Sequence, residues 1–422
     1  MNLTGSPGRP VGFRVFSAGS LGALALVSMA VCPPALAGDW SLESTISEKV
    51  DFNDNYGMNE KSNGVVLGSI TDVYGDLIYL TRDSRFDLIA DIVARKYWGP
   101  GDEDVVDGIL PRFESRYHQD FKRGSFDLGT YYAEQEISGN DTLDVDERTP
   151  PSTKRNFGGN FGFGRIVGRR DNLYWANSVA QSLYEDNSRG TDNQSLDSSL
   201  TWTRRLTKRV DRKLTAGVNY LTYDNAGDVE KVIYRSRADF TAILSPRLKA
   251  NAGGGVNLIN SFETITPTPP LTPYRDSNLD YGLSADAGFD YQLKTTTISG
   301  YARYGLSQGT FGELQTQASV GLSIAERINE RSTVSLTATA KMVTSDTSGI
   351  PGIGGNNGSG GSHGFSVSSL YKVDLTDEWE LQAGYKWTLK QTDKGIPMSP
   401  TTSTATSNDV FLQLTRNFVV FP

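Results

Sequence analysis

Charged side chains recur at alternate positions of three segments of this chain, a set we call the charge ladder. Arginine forms forked hydrogen bonds to carboxylates and phosphates, so one interpretation is a polar passage whose arginines guide anionic groups such as uronate or phosphate. The other is that acids and bases pair across strands and hold a wall together. Because acids alternate with the arginines, we favour pairing for most members. The ladder comprises Arg85, Asp87, Asp91, Arg95, Arg112, Glu114, Arg116, His118, Asp120, Arg235, Arg237 and Asp239.

The chain has two histidines, which are the main candidates for catalysis. His118 lies between Arg116 and Asp120 and could act as a general base with neighbouring Ser115 or with an acid, as a hydrolase would require. A histidine within a polar ladder is the favoured interpretation. His363 follows a glycine-rich run and is predicted to lie in a flexible loop, which is poor support for a preorganised site. We therefore predict that the chain is not an enzyme.

An acidic stretch at 141–147 is the best candidate for a metal site. It contains three aspartates and a glutamate that could hold Ca²⁺, but their spacing does not match an EF-hand, and a solvated loop is the favoured interpretation. The only cysteine is Cys32, so the chain beyond it has no thiolate for a zinc site. It also has no haem-attachment motif. We predict no cofactor.

Apolar and polar residues alternate along segments that are long enough to cross a membrane as strands. Between 281 and 293, for example, apolar side chains fill one face, and Gly, Ser, Asp and Gln fill the other. Successive side chains of a strand point to opposite faces, so one face suits lipid and the other suits water. The pattern predicts eighteen strands, with sixteen as the nearest alternative, at 41–53, 64–81, 84–98, 109–121, 125–137, 153–167, 172–185, 194–207, 213–225, 230–245, 247–260, 278–293, 296–307, 312–326, 331–344, 363–375, 379–392 and 408–420.

The connections between these segments alternate between tight, charged turns and mostly longer, polar loops. Eight connections are tight and nine belong to the second set. Short periplasmic turns and longer external loops are typical of an outer-membrane barrel. We therefore predict an all-β fold, a transmembrane antiparallel up-and-down β-barrel. The proline-rich stretch 266–273 and the glycine-rich stretch 349–364 are predicted to be flexible external loops, with an inward constriction as the alternative for one of them.

Residues 1–37 are predicted to be a secretory signal peptide. A basic start precedes an apolar stretch at 18–31, and a small-x-small cleavage site follows at 35–37. The apolar stretch is shorter than the roughly 20 residues of a spanning helix, which argues against an anchor. Cys32 lacks the small preceding residue expected of a lipoprotein. Residues 38–422 are predicted to form the barrel.

The composition beyond residue 37 narrows the classes of function. Two of the 41 basic residues precede that point, which leaves 39 against 49 acidic residues and a formal charge of −10. Such an excess of acid argues against a general nucleic-acid binder. The absence of apolar runs of about 20 residues after position 38 argues against helical spans. A polar, cysteine-free chain of this kind suits a barrel in the outer membrane.

Residues 50–56, with the sequence VDFNDNY, carry a family resemblance. They resemble the aromatic-x-Asp-Asn signature that follows the first strand in a family of porin-like outer-membrane β-barrels of Gram-negative bacteria. The hairpin at 77–88 and the strand at 379–387 are also similar to that family, whose members are often encoded beside exopolysaccharide genes. The final strand ends in Phe421 and Pro422, whereas the usual pattern closes on the aromatic residue. The resemblance implies a pore or exporter subunit and no catalytic residue.

Three functional hypotheses remain open at this point. The favoured one is an outer-membrane pore or exporter that passes polar solutes or a surface polysaccharide. The second is a non-conducting scaffold whose loops bind a partner, and the third is the hydrolase built on His118. The expected partners are outer-membrane lipid and either polysaccharide or periplasmic export proteins, and nucleic acid is not among them. The sequence leaves monomer and trimer as alternatives.

Overall fold

The computed structural model describes residues 38–102, 105–137, 152–185, 191–224, 229–265, 274–308, 314–345, 361–394 and 401–421. They form eighteen strands, which confirms the predicted number over sixteen. The strands are β1 (Asp39–Asn53), β2 (Val66–Leu80), β3 (Ser84–Trp98), β4 (Gly108–Phe121), β5 (Gly124–Ile137), β6 (Ser152–Ile166), β7 (Asp171–Tyr184), β8 (Asn193–Arg205), β9 (Val210–Tyr223), β10 (Val229–Ser245), β11 (Leu248–Ile265), β12 (Tyr274–Gln292), β13 (Thr296–Gln308), β14 (Leu314–Asn329), β15 (Ser332–Ser345), β16 (Gly361–Asp374), β17 (Trp379–Lys394) and β18 (Thr401–Phe421).

Each strand pairs antiparallel with its neighbours in the chain, and the first strand pairs with the last. The β1–β18 ladder runs from Leu42 opposite Phe421 to Asn53 opposite Asp409, with one irregularity between Leu42 and Glu43. This pairing closes the sheet, so the predicted all-β, antiparallel up-and-down barrel is confirmed. Within the described part of the chain, no helix combines the length and hydropathy needed to span a membrane.

The predicted strand ends agree with the structure to within a few residues, except where the chain is polar. β18 begins at Thr401 rather than 408, and β11 continues to Ile265 rather than 260. The added stretch at 401–407 is almost entirely Thr and Ser, so it lacks the apolar alternation on which the prediction relied. Threonine nevertheless favours strands, and pairing with β17 extends the ladder through it.

The outer face of the barrel exposes large apolar side chains. On β12 the exposed fractions are 78% for Tyr281 and 56% for Leu283, whereas a soluble protein rarely exposes a continuous apolar band. One polar exception is Glu48 on β1, whose carboxylate accepts hydrogen bonds from the hydroxyls of Ser69, at 2.6 Å, and Thr71 on β2. An outer face of this kind suits lipid.

The two ends of the barrel differ as the connections predicted. We call one end the short-turn rim, formed by the turns at 81–83, 122–123, 167–170, 206–209, 246–247, 293–295, 330–331 and 375–378. The opposite end, where the longer connections lie, is the long-loop rim. The predicted signal peptide (1–37), the acidic stretch (141–147), the proline-rich stretch (266–273) and residues 349–360 lie outside the described residues.

Two sequence predictions for His363 conflicted, a flexible loop and the first position of the strand at 363–375, and the structure supports the strand. His363 lies in β16, opposite Met342 on β15 and Gln391 on β17. The ladder continues through the neighbouring glycines, since Gly361 and Gly364 also have partners on β15. The glycine content of this stretch therefore gave a false signal for a loop, because backbone pairing does not need side chains.

An arginine in place of Leu283 tests the assignment of the outer face. This side chain lies near the middle of β12, where an arginine facing lipid costs about 2–4 kcal/mol in barrels of this type. We expect Leu283→Arg to lower the free energy of unfolding by that amount, measured by urea titration of the protein folded into lipid vesicles. Ser284→Arg is the matched control, because Ser284 points to the other face and should change the stability by less than about 1 kcal/mol. Equal losses in both variants would contradict the assignment.

Candidate functional site: the inner wall

The register places the ladder residues of each strand on one face, and that face is the concave one. Asp87 lies opposite Arg116, and Asp91 lies opposite Arg112. On β10, Arg237 reaches across β11 to bind Asp286 on β12. Contact between side chains two strands apart requires the concave side of the sheet, where side chains converge. The ladder therefore lines the inner wall.

Most arginines of the first half of the ladder bind acids of the wall. Arg85 binds Asp87 at 2.7 Å. Glu114 accepts from two arginines at once, Arg112 at 3.2 Å and Arg116 at 2.6 Å. Arg112 thus binds an acid of its own strand rather than Asp91, its partner in the register. These contacts are those of the pairing interpretation.

Arg95 binds an acid that the sequence did not single out. Its guanidinium lies 2.6 Å from Glu136 on β5, whose side chain is only 1% exposed. Glu136 also accepts a hydrogen bond from the backbone N–H of Val106, at 3.3 Å. One buried carboxylate therefore ties β3, β5 and the segment before β4 together near the long-loop rim.

Strand β10 carries the second half of the ladder, and its arginines bind acids two strands away. Arg235 binds Asp197 on β8. Arg237 binds Asp239 on its own strand at 2.6 Å and Asp286 on β12. The ladder thus continues over five adjacent strands from β8 to β12.

A glycine lies under each of these long contacts. Gly217 on β9 is opposite Arg235, and a Cβ there would lie 3.1 Å from the Arg235 Nε atom. Gly253 on β11 is opposite both Asp239 and Asp286. A Cβ at Gly253 would overlap the Asp239 carboxylate and crowd the Arg237 guanidinium. The missing side chains let the arginines lie flat against the wall.

His118 belongs to a hydrogen-bonded group near the short-turn rim. Its Nδ1 lies 2.6 Å from Asp127 on β5, and its Nε2 lies 3.3 Å from Asp120. The Tyr174 hydroxyl of β7 donates to the other Asp127 oxygen at 3.1 Å, and it crosses above Gly162 to do so. This is a wall contact of the same strand-skipping type.

Ser115 cannot act with His118. The two side chains are three positions apart on one strand and therefore lie on opposite faces. Ser115 shares a hydrogen bond of 2.9 Å with Thr130 on the outer face, opposite Leu88 of β3. The geometry overturns the proposed serine–histidine pair.

The segment with the family resemblance forms a latch between the first loop and the last strand. Asp54 accepts hydrogen bonds from the backbone N–H and side-chain amide of Asn408, both at 2.7 Å. Asn53 Oδ1 accepts from the Ser407 hydroxyl at 2.9 Å. Asn55 donates to the Thr406 carbonyl oxygen at 2.9 Å. Three consecutive residues therefore hold the end of β1 to β18 at the long-loop rim.

The inner wall is covered near the long-loop rim. Inward side chains there are at most 5% exposed on eight neighbouring strands from β14 through β18 to β3, namely Gln315, Val343, Ser362, Thr388, Ser407, Asn53, Asp51, Val66 and Tyr97. Near the short-turn rim, by contrast, the side chains of Arg85 and His118 are 51% and 43% exposed. The inner wall is therefore less accessible to solvent at the long-loop end.

Part of that cover comes from the first two loops of the long-loop rim. The Tyr56 and Tyr97 rings lie 5.6 Å apart at an interplanar angle of 63°, and their hydroxyls are 3.4 Å apart. Val105 packs in the same buried cluster with Tyr97 and Val66. Met58, in the first loop, is 7% exposed. The latched loop thus packs inward against the wall.

Asp107, in the segment before β4, has a lowered pKa. The Lys96 ammonium donates a hydrogen bond to it, and this contact lowers the pKa of the Asp107 carboxyl below its ordinary value. The backbone N–H of Tyr97 adds a second hydrogen bond at 2.8 Å.

Among the described residues, no group of three or more His, Cys, Asp or Glu side chains is arranged to hold a metal ion.

Comparisons with known proteins give likenesses of structure only. No protein-family model and no curated protein matches the sequence. OccAB2 of Acinetobacter baumannii has a TM-score of 0.48 and 10% identity, with 91% of this chain and 98% of that chain covered. OpdQ of Pseudomonas aeruginosa has a TM-score of 0.47 and 9% identity, with 91% and 100% covered. A loop L8 deletion mutant of OmpT, an outer membrane protein of Vibrio cholerae, has a TM-score of 0.43 and 11% identity, with 91% and 100% covered. These values are too low to carry a function to this chain.

A side chain at Gly253 tests the strand-skipping contacts. We expect Gly253→Leu to displace the Arg237 guanidinium and to lower the free energy of unfolding by about 1–3 kcal/mol, as overpacking typically does. Gly254→Leu is the matched control, because Gly254 faces outward and a Cβ there meets nothing closer than 3.5 Å. Urea titration of both variants measures the difference. If Gly253→Leu were as stable as Gly254→Leu, the glycine would not be needed for the contact.

Removal of the Asp54 carboxylate tests the latch. Asp54→Ala deletes two charge-assisted hydrogen bonds to Asn408, and such bonds contribute about 1.5–3 kcal/mol each. We expect a loss of stability of about 3–6 kcal/mol, the sum for the two bonds, and faster hydrogen exchange around Asn408 of β18, measured by mass spectrometry. Asp102→Ala, in the second loop, is the control and should leave both unchanged. A latch variant that exchanged like the control would show that β1–β18 pairing alone holds the seam.

Proposed function

We propose that this chain is an outer-membrane pore or exporter that passes polar solutes or a surface polysaccharide. The observation that carries the proposal is the closed eighteen-strand barrel with an apolar outer face and a charged inner wall. Backbone polar groups in lipid must be satisfied internally, and a closed barrel meets that requirement. Barrels of sixteen to eighteen strands are wide enough to leave an aqueous channel.

The paired charges of the wall support passage rather than a site that retains its ligand. Arg112, Arg116 and Arg237 all bind carboxylates of the wall, so their charges are compensated before a solute arrives. Guidance of anions by the ladder, the alternative interpretation of the sequence, is therefore not part of the proposal. Because these charges are compensated, we expect weak ion selectivity inside the barrel.

The localisation and the partners are part of the same proposal. The apolar outer band supports contact with outer-membrane lipid, and the resemblance of residues 50–56 supports association with polysaccharide or with periplasmic export proteins. The proposal takes residues 1–37 as the export signal. It needs neither a second copy nor a trimer, since one chain closes the barrel.

A non-conducting scaffold is the second candidate, and one observation favours it. The inner wall at the long-loop rim is covered, and the first loop is latched inward by Asn53, Asp54 and Asn55. A barrel closed at that end would hold a partner on its loops without passing a solute. The two functions differ in whether ions cross the folded protein.

Single-channel recording in a planar bilayer separates them. We expect discrete conductance steps and, in a salt gradient, a reversal potential close to zero, because acids compensate most of the ladder arginines. A folded barrel that stayed electrically silent would contradict the pore. In that case, residues 58–63 would be replaced by glycine and serine, with the latch left intact. Conductance in this variant would show that the first loop blocks the lumen. A variant that remained silent as well would leave the scaffold.

A further inference from the structure

The short-turn rim is basic, although the whole chain is acidic. Its eight turns contain ten lysines and arginines against four acids, and seven of the turns carry at least one basic residue. The described residues in the connections of the long-loop rim include seven acids against one basic residue, Lys61. The two mouths of the barrel thus carry opposite charge.

The basic residues are concentrated on one part of the short-turn rim, which we call the basic arc. It consists of three neighbouring turns, each with two adjacent basic residues, namely Lys122, Arg123, Arg169, Arg170, Lys208 and Arg209. Strands are about 4.8 Å apart, so neighbouring turns lie roughly 10 Å apart. All six side chains are exposed. The arc is therefore a row of solvent-exposed positive charge along the edge of the mouth.

The arc differs from the ladder because its charges are uncompensated. None of the six forms an ion pair with another described residue. Two acids next to the arc in sequence, Asp171 and Asp211, bind Arg204 at 3.8 Å and Arg205 at 3.6 Å instead. Unpaired charges at a mouth attract counter-ions and raise their local concentration, and the effect falls with salt.

We propose that the basic arc captures a linear polyanion, a polymer that bears carboxylates or phosphates, as it enters the barrel from the short-turn side. The inference rests on the proposed function, since it assigns a substrate class and an entry side to the same passage. A flexible polymer can contact all three turns at once, which multiplies weak single contacts. The acidic long-loop rim then has a role as well, because it does not retain an anion that leaves there.

Anionic lipid headgroups are the main competing ligand for the arc. Headgroup binding would account for basic turns but not for the opposite charge of the other rim. Capture at one mouth and release at the other accounts for both. On the outer face, Arg212 stacks on Trp202 at 4.8 Å, and an arginine of this kind is better placed than the turns to meet headgroups.

Binding of fluorescent polygalacturonate to the folded chain in neutral detergent micelles tests the proposal without requiring an open lumen. We expect a variant with all six arc residues replaced by glutamine to bind about tenfold more weakly, within the range of electrostatic attraction. Raising the salt to 1 M, where the screening length falls to about 3 Å, should abolish the difference. The control variant replaces the isolated Arg82, Arg247, Lys294 and Arg331 and should lose much less affinity. If the arc variant and the control variant lost equal affinity for the polymer, or if neither lost any, the role of the arc would be overturned.

The same polymer in the planar bilayer tests the entry side. Because the barrel has no cysteine, Lys61→Cys labelled from one side with an impermeant maleimide identifies the long-loop rim. We expect polygalacturonate to block the current far more often from the short-turn side, and neutral dextran of similar length to show no such preference. A conducting barrel without this asymmetry would overturn the inference and leave the pore standing. A silent barrel that still bound the polymer through the arc would contradict the open pore, while capture of the polymer by the arc would stand.

Vesicle flotation provides the lipid arm of the test. If the six-residue variant lost attachment to phosphatidylglycerol vesicles but kept its affinity for polygalacturonate, headgroup binding would replace the proposal. Unchanged attachment with weakened polymer binding supports it. The urea midpoint of each variant, expected to be unchanged for exposed turn residues, separates a lost contact from a lost fold.

Discussion

Everything in this structure depends on the pairing of the first strand with the last. A β-sheet in lipid cannot leave an edge, because unsatisfied backbone groups cost several kcal/mol each in hydrocarbon. The β1–β18 ladder removes both edges at once. The concave wall, the two rims and the apolar belt exist only because of that closure. The latch at Asn53, Asp54 and Asn55 adds side-chain hydrogen bonds where the ladder ends.

A second constraint acts on the inner wall: charged side chains on the concave face of a closed sheet are crowded together. Side chains on the concave face converge, so acids and arginines from several strands come within contact distance. Most of the ladder arginines bind carboxylates as a result, and Gly217 and Gly253 give them room to reach two strands away. Among the described residues, the six basic side chains of the arc, which form no ion pair, lie in the turns outside the wall. In the proposed function, passage and recognition are thereby separated in space.

Much of the fold could be predicted from the sequence, because strand alternation and the two kinds of connection are local patterns. The faces of the ladder residues followed from the same alternation. The partners of Arg235, Arg95 and His118 could not be predicted in this way. Asp197, Glu136 and Asp127 are brought to them by register across neighbouring strands. A glycine midway along a neighbouring strand, as at Gly253, was the available signal. His363 was misplaced because glycine was taken as a loop signal where backbone pairing continued.

The closure of the barrel also affects how fast the chain can fold. The latch joins residues about 350 positions apart, and contacts of such long range are slow to form. A chain that is still being made, or that has lost its last strand, presents two unpaired edges, which are templates for pairing with other chains. Closure of the barrel therefore depends on one strand of 21 residues, β18. Any factor that recognised this strand only while it was unpaired would distinguish an open sheet from a closed barrel.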